Sequence, residues 1–370
     1  MSARFLTVVL ERAFNMRDGF GREIDYMRIS VIDSCNLNCY YCNPCGNNEH
    51  CHALNILSVK EVLCIVRAAT RLGIKHFRLT GGEPLLHPQL DEMVLQIKKI
   101  PGVSSVSLTT NAVLLAQHAK WLKEAGIDSI NVSLDTIDAS EYERITKKPL
   151  LEEVKHGINA AIECGIRVKI NVVLTPQTDV VALTRYVAKK GTDISFIEMM
   201  PVGEGHTNGV EPYKKVIGTL SKLYGEPCRI NTEKTKEINS GNDKREIPDN
   251  GPAEYYIFPE LGIRVGLIQA IHGKFCDTCN RIRVTADGRL MPCLGSSVTM
   301  DLVPDSWDFA DDVEKDFAIV RALRAAIKAK PRCHNFNDNA VTYTKTTETK
   351  TTEIEAAEVN AARNMSRIGG

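Results

Sequence analysis

Residues 57–84 read LSVKEVLCIVRAATRLGIKHFRLTGGEP, and their pattern decides the fold. Ser58 and Glu61 form a capping-box signature for a helix whose Val59, Val62, Leu63, Val66 and Ala69 mark one apolar face. Gly73 suits the left-handed position that ends such a helix, and a short strand from His76 to Thr80 follows. That strand runs directly into Gly81-Gly82-Glu83-Pro84.

The same unit recurs up to residue 200. Gly102, Gly126, Gly165 and Gly191 mark further helix ends, although Gly102 follows Pro101 and also suits a turn. The strands after them are predicted at Ser104 to Thr109, Ser129 to Leu134, Arg167 to Leu174 and Ile194 to Met199. With an opening strand around Arg28 to Ile32 the count is six. Strands alternating with single helices imply right-handed crossovers and a parallel sheet, closing part or all of a (β/α) barrel or forming an open doubly wound sheet. A dinucleotide-binding reading is disfavoured, because the first strand leads into cysteines and not into a glycine-rich phosphate loop.

Polar residues gather at the C-terminal strand ends. Cys35, Cys39 and Cys42 follow strand one, Gly81 to Pro84 strand two, Thr109-Thr110-Asn111 strand three and Ser133-Leu134-Asp135 strand four. Strand five carries Lys169 and Asn171, and strand six ends in Glu198-Met199-Met200-Pro201. In a parallel barrel these ends open on one face, where active sites form. Lys169, flanked by Val168 and Ile170, faces either the barrel interior or the covering helices, and a lysine in the interior needs an anion.

Cys35, Cys39 and Cys42 are spaced Cys-x3-Cys-x2-Cys, and Cys276, Cys279 and Cys293 are spaced Cys-x2-Cys-x13-Cys. Each set is one thiolate short of a closed site, which suggests metal centres with an open position. The structural-zinc reading would close the first with Cys45, Cys51, His50 or His52, and the second with His272, Cys228, Cys333 or His334.

The chain has 370 residues, 43% apolar and 25% charged, with Lys plus Arg equal to Asp plus Glu at 46 each. No global field recruits nucleic acid or anionic membrane. The apolar run Phe5 to Leu10 is too short for a signal-peptide core, and nothing approaches a membrane span, so a cytoplasmic location is expected. Twelve cysteines in a reducing compartment point to metal binding or catalysis, with Cys64 and Cys164 read as buried apolar residues.

After Pro201 the rhythm stops. A helix near Pro212 to Tyr224, strands at Tyr255 to Phe258 and Ile263 to Ile268, and a helix near Asp311 to Ala329 are expected around a polar loop at Asn231 to Asn250. The organisation reads as a barrel core over 1–201, an α+β extension over 202–332 bringing the second cysteine set over the barrel mouth, and a tail over 333–370. That tail is Thr, Lys and Glu-rich at Thr342 to Thr352 and ends in Gly369-Gly370.

Cys35-x3-Cys39-x-Tyr41-Cys42 followed by Gly81-Gly82-Glu83-Pro84 resembles the radical S-adenosylmethionine superfamily. In that family three cysteines hold a [4Fe–4S] cluster whose fourth iron chelates S-adenosylmethionine, which is cleaved to methionine and a 5′-deoxyadenosyl radical. The resemblance implies S-adenosylmethionine contacts at Tyr41, Gly82, Ser133 and Met200.

With Arg28, the run Cys276-x2-Cys279-Asn280-Arg281-Ile282-Arg283, Cys293 and the terminal Gly-Gly, the chain is similar to the GTP 3′,8-cyclase family of molybdenum cofactor biosynthesis. This implies a partial (β/α)6 TIM-like barrel with a C-terminal α+β extension carrying a second [4Fe–4S] cluster, whose open iron binds guanine. It implies conversion of GTP to (8S)-3′,8-cyclo-7,8-dihydroguanosine 5′-triphosphate, by removal of the ribose 3′ hydrogen and attack of that carbon on C8. It also implies GTP contacts at Arg28, Arg78, Thr109, Lys169, Arg281, Ile282 and Arg283, and catalytic roles for Arg281, Arg283, Gly369 and Gly370.

Two guanidinium forks two positions apart can meet a triphosphate bidentately. The implied partners are an electron donor such as flavodoxin or ferredoxin and a downstream cyclic pyranopterin monophosphate synthase; a homodimer is compatible. Ala112 stands where the family commonly has Gly, and Cys45 and Cys51 are expected not to be cluster ligands. The competing readings are a peptide-modifying radical enzyme with an auxiliary cluster and a zinc-stabilised binding module.

Overall fold

The computed structural model describes residues 16–42, 55–202, 210–230, 251–296, 298–302, 312–334 and 336. Six strands, β1 (Tyr26–Ser30), β2 (His76–Thr80), β3 (Ser105–Thr110), β4 (Ser129–Ser133), β5 (Arg167–Val173) and β6 (Asp193–Ile197), pair in parallel in chain order. The unbroken order excludes the doubly wound alternative, which needs a point where the order reverses.

The connecting helices are α1 (Val59–Thr70), α2 (Leu90–Lys98), α3 (Leu115–Glu124), α4 (Ala139–Thr146), α5 (Leu151–Glu163) and α6 (Val180–Lys189). At the start of α1 the Glu61 N–H donates to Ser58 Oγ while Glu61 Oε2 accepts the Ser58 N–H at 2.7 Å, completing the capping box. Gly73, Gly126, Gly165 and Gly191 all take positive φ after their helices, and Gly102 does so in a turn after Pro101.

One crossover departs from the single-helix rhythm: α4 and α5 both lie between β4 and β5. The break falls at Lys147, which takes the left-handed conformation (φ 61°) usually marked by glycine, so the sequence offers no stop signal there.

The chain after residue 201 extends the same sheet. β9 (Arg264–Ile268) pairs in parallel with β6, and β10 (Arg281–Val284) pairs in parallel with β1. Beyond them β8 (Glu254–Ile257) and β7 (Cys228–Ile230) continue one side antiparallel, and β11 (Arg289–Met291) and β12 (Met300–Asp301) the other. The extension therefore flanks the six-strand run at both edges. A helical segment over Tyr213–Ile217 leads into α7 (Gly218–Tyr224), and α8 (Asp312–Lys328) packs on α1, where Arg71 pairs with Asp316 at 2.8 Å.

β5 shows how the sheet separates core from cavity. Val168, Ile170 and Val172 are buried in the main apolar cluster, each contributing about 1.5–3 kcal/mol of burial, while Arg167, Lys169 and Asn171 alternate onto the cavity face. Lys169 thus faces the interior. Among the described residues no helix is long and apolar enough to cross a membrane.

Candidate active site

A cavity of about 700 Å³ occupies the inner face of the sheet, and both cysteine sets line it. The first set is positioned by two loop-to-loop contacts. The Gly82 N–H donates to the Ile32 carbonyl and the Glu83 N–H to the Ser34 carbonyl, both at 2.7 Å. A Cβ at Gly82 would lie 2.1 Å from Ser34 O, and one at Gly81 2.3 Å from Ile32 O, so only glycine permits this approach.

Glu83 is buried and holds the next loop as well. Its carboxyl accepts the Thr110 hydroxyl and the Asn111 N–H, each at 2.7 Å, and burial pushes it up to about 7 against those hydrogen bonds. Asn111 Nδ2 then donates to Asn36 Oδ1 at 2.7 Å and toward Cys35 Sγ at 3.8 Å. On the far side of the loop the Tyr41 hydroxyl donates to Asp135 Oδ2 at 2.5 Å, and Asp135 Oδ1 accepts the Val173 N–H at 2.8 Å. Burial raises Asp135 to about 6.

The donor set fits an iron–sulfur cluster. Cys35 Sγ receives N–H donors from Leu37 and Asn111, as ligating sulfurs do. Burial, then Glu83, pushes the Cys35 thiol up to about 12; burial, Cys35 and Asp135 do the same for Cys42; burial, Cys42 and Asp135 hold Cys39 well above its ordinary value. Three thiolates in this acidic surround need a cationic partner, which iron would supply.

The second set differs at Cys279, which has two cations beside it. Cys276 is fixed through its carbonyl, which accepts Arg22 Nη1 at 2.6 Å, while Arg22 also pairs with Asp18 and reaches the Pro331 and Arg332 carbonyls. Burial acts to raise the Cys279 thiol, yet Arg281 and Lys330 bring it below its ordinary value. The candidates for closing this set as zinc are engaged elsewhere: His272 pairs with Glu198, and His334 Nε2 donates to the Ala270 carbonyl at 2.7 Å. Cys228 and Cys333 are exposed, and among the described residues no three His, Cys, Asp or Glu side chains group to hold one ion.

Between the two sets lies a row of cations. Arg283, Arg28 and Arg78 are register partners across β10, β1 and β2, so three guanidinium-bearing positions stand at strand spacing, about 4.8 Å, on the cavity face. Like charges placed side by side repel, and burial together with Arg283 holds Arg28 well below its usual value, while burial and Arg281 bring Arg283 to about 10. Arg78 is aimed by its Nε bond to the Tyr26 hydroxyl at 2.5 Å, and its Nη1 reaches Thr109 Oγ1 at 3.5 Å. Lys169 Nζ donates to the Tyr255 hydroxyl at 3.2 Å. Such a row is stabilised by a polyanion.

Two buried polar atoms have no partner and belong to cavity residues, Arg281 Nε and Asn171 Oδ1. Buried unsatisfied groups in a cavity mark where a ligand completes the hydrogen bonding.

Tyr41, Gly82, Ser133, Met200, Arg28, Arg78, Thr109, Lys169, Arg281, Arg283 and all six cysteines of the two sets line the cavity. Ile282 does not: its side chain is wholly buried in the core on the opposite face of β10. Cys45, Cys51, Gly369 and Gly370 lie outside the described residues. Sequence reading passed over Tyr26, although it stands two positions from Arg28 on the same strand face, whereas Asn171, named with Lys169 on strand five, lines the cavity. It also missed Tyr255 and Lys330, which reach the cavity from the extension with no local motif.

Comparison with known proteins agrees with this geometry. The Radical SAM superfamily matches residues 29–183, and the Molybdenum Cofactor Synthesis C family matches residues 192–336. A GTP 3′,8-cyclase of Clostridium perfringens is 35% identical over 324 residues, covering 87% of this chain and 95% of the relative. The chain belongs to the GTP 3′,8-cyclase family. Other members are similar at comparable levels: the Peptoclostridium acidaminophilum protein is 37% identical over 87% of this chain and 94% of its own length, and the Listeria monocytogenes protein 35% over 86% and 92%. Among solved structures, Streptococcus suis SuiB bound to S-adenosylmethionine superposes with a TM-score of 0.52 at 16% identity, covering 82% of this chain and 68% of that one, which shows the fold alone.

Proposed function

We propose that this family member is a radical S-adenosylmethionine lyase that converts GTP to (8S)-3′,8-cyclo-7,8-dihydroguanosine 5′-triphosphate, opening molybdenum cofactor biosynthesis. The observation that carries the reading is the row Arg283–Arg28–Arg78 set in one cavity with two incomplete cysteine sets.

Cys35, Cys39 and Cys42 would hold one [4Fe–4S] cluster and Cys276, Cys279 and Cys293 another. Bound there, the first would supply the electron that cleaves S-adenosylmethionine to methionine and the 5′-deoxyadenosyl radical, and the second an open iron for guanine. Gly82, Tyr41, Ser133 and Met200 would line the S-adenosylmethionine pocket. Arg28, Arg78, Arg281 and Arg283, with Lys169 and Thr109, would hold the triphosphate and ribose, and Ile282 would contribute backbone only.

The sheet fixes these groups on strands, so the ribose would be held in one orientation while its 3′ hydrogen is taken. Residues 1–201 would form the radical core and 202–332 the substrate extension, with Gly369-Gly370 acting from the tail. A cytoplasmic enzyme of this kind would draw electrons from flavodoxin or ferredoxin and pass its product to a cyclic pyranopterin monophosphate synthase.

The test is GTP binding by the anaerobically reconstituted chain, with and without Cys276, Cys279 and Cys293. Stoichiometric binding that weakens when the three cysteines are replaced by Ala is expected; undiminished binding in that variant would contradict the reading.

A further inference from the structure

Lys330 lies just beyond α8, with only 2% of its surface exposed. Its Nζ donates to the Arg281 carbonyl at 2.7 Å and to the Pro292 carbonyl at 2.9 Å. Arg281 is two residues after Cys279, and Pro292 immediately precedes Cys293, so one ammonium braces both chain segments that carry these cysteines. It also lines the cavity.

Two of its hydrogen-bond partners are neutral carbonyls, it also hydrogen-bonds the Cys279 side chain, and among the described residues it makes no salt bridge to a carboxylate. A buried cation is costly unless a negative charge stands beside it. The first cysteine set has the reverse arrangement, with the buried carboxyl groups of Glu83 and Asp135 beside it.

We propose that Lys330 is the built-in counter-charge of the second cysteine centre, setting it apart electrostatically from the first. The inference rests on the reading that Cys276, Cys279 and Cys293 hold an iron–sulfur cluster. Three thiolates on a cluster leave net negative charge, and reduction adds one more. A fixed cation beside two of the three ligands stabilises the reduced form, and so raises the reduction potential of that centre and not of the other. Lys330 touches neither substrate nor reacting atom in this account and is a positioning residue.

The experiment is a potentiometric titration followed by electron paramagnetic resonance on the full-length reconstituted chain, as wild type, Lys330→Met and Lys330→Arg. Iron content is measured on the same samples. In Lys330→Met the second centre should shift to lower potential or be lost, the first should stay at its wild-type potential, and Lys330→Arg should restore the second. Unchanged potentials and iron in Lys330→Met would overturn the proposal, as would equal loss of the second centre in both variants, which would make the role one of shape. A wild-type chain that takes up only one cluster would instead overturn the reading beneath it.

Discussion

The Asn111 backbone N–H and the Glu83 carboxyl meet at 2.7 Å, locking the loop after β3 to the loop after β2, and Asn111 passes that order on to Asn36 and Cys35 through its side chain. The Gly-Gly-Glu-Pro motif therefore shapes the cysteine loop from behind, with its glycines allowing contact and its glutamate holding the neighbour.

Glu83 makes a pH prediction. Its folded value, about 7, lies above the ordinary 4.5, so between these values the folded chain binds more protons than the unfolded one and loses stability as pH rises. Glu83→Gln sets an NH2 group against donors and should destabilise the metal-free chain by about 1–3 kcal/mol at pH 5. The wild-type advantage should then shrink by up to about 3 kcal/mol by pH 7. Denaturant unfolding of both proteins checks this, and a gap that widens with pH would refute it.

Gly82→Ala would drive a Cβ to 2.1 Å from the Ser34 carbonyl oxygen. The expected result is loss of iron from the first centre with retention of the second, read by iron analysis and electron paramagnetic resonance. Full iron content in the variant would show that the loops can part without consequence.

Arg283→Ala removes one guanidinium from the row shared with Arg28 and Arg78. Losing a charge-assisted hydrogen bond of about 1.5–3 kcal/mol should weaken GTP binding about 10- to 100-fold. Guanosine, which lacks the triphosphate, should be affected far less. Isothermal titration with GTP and with guanosine decides, and equal losses would move the triphosphate away from this row.

Gly157 and Ala112 test the packing of α5. A Cβ on Gly157 would come within 2.4 Å of the Ala112 carbonyl oxygen and 3.0 Å of Leu115 Cβ. Gly157→Ala should cost about 1–3 kcal/mol of stability in a thermal or denaturant melt. An unchanged midpoint would mean that the helix can shift freely there.

Much of this was legible in the sequence because it depends on short-range rules. Helix–glycine–strand units gave the six strands in order, and period-two alternation on β5 set Lys169 apart from Val168 and Ile170; β10 was not read as a strand, so Ile282 was grouped with Arg281 and Arg283, and the structure sends it to the core face. Ala112, which stands where the family commonly has Gly, retains the left-handed conformation (φ 64°) that glycine favours. What stayed hidden was long-range. Nothing near Arg264 or Arg281 announces that β9 and β10 join β6 and β1, because parallel pairing across most of the chain leaves no local signature. Lys330 and Arg22 gain their meaning only from carbonyls brought to them by that pairing.

The most direct test is anaerobic turnover of the reconstituted chain with S-adenosylmethionine, a reductant and GTP deuterated at ribose C3′, analysed by mass spectrometry. Deuterium should appear in 5′-deoxyadenosine together with a 3′,8-cyclised nucleotide. Unlabelled 5′-deoxyadenosine with intact GTP would contradict the account.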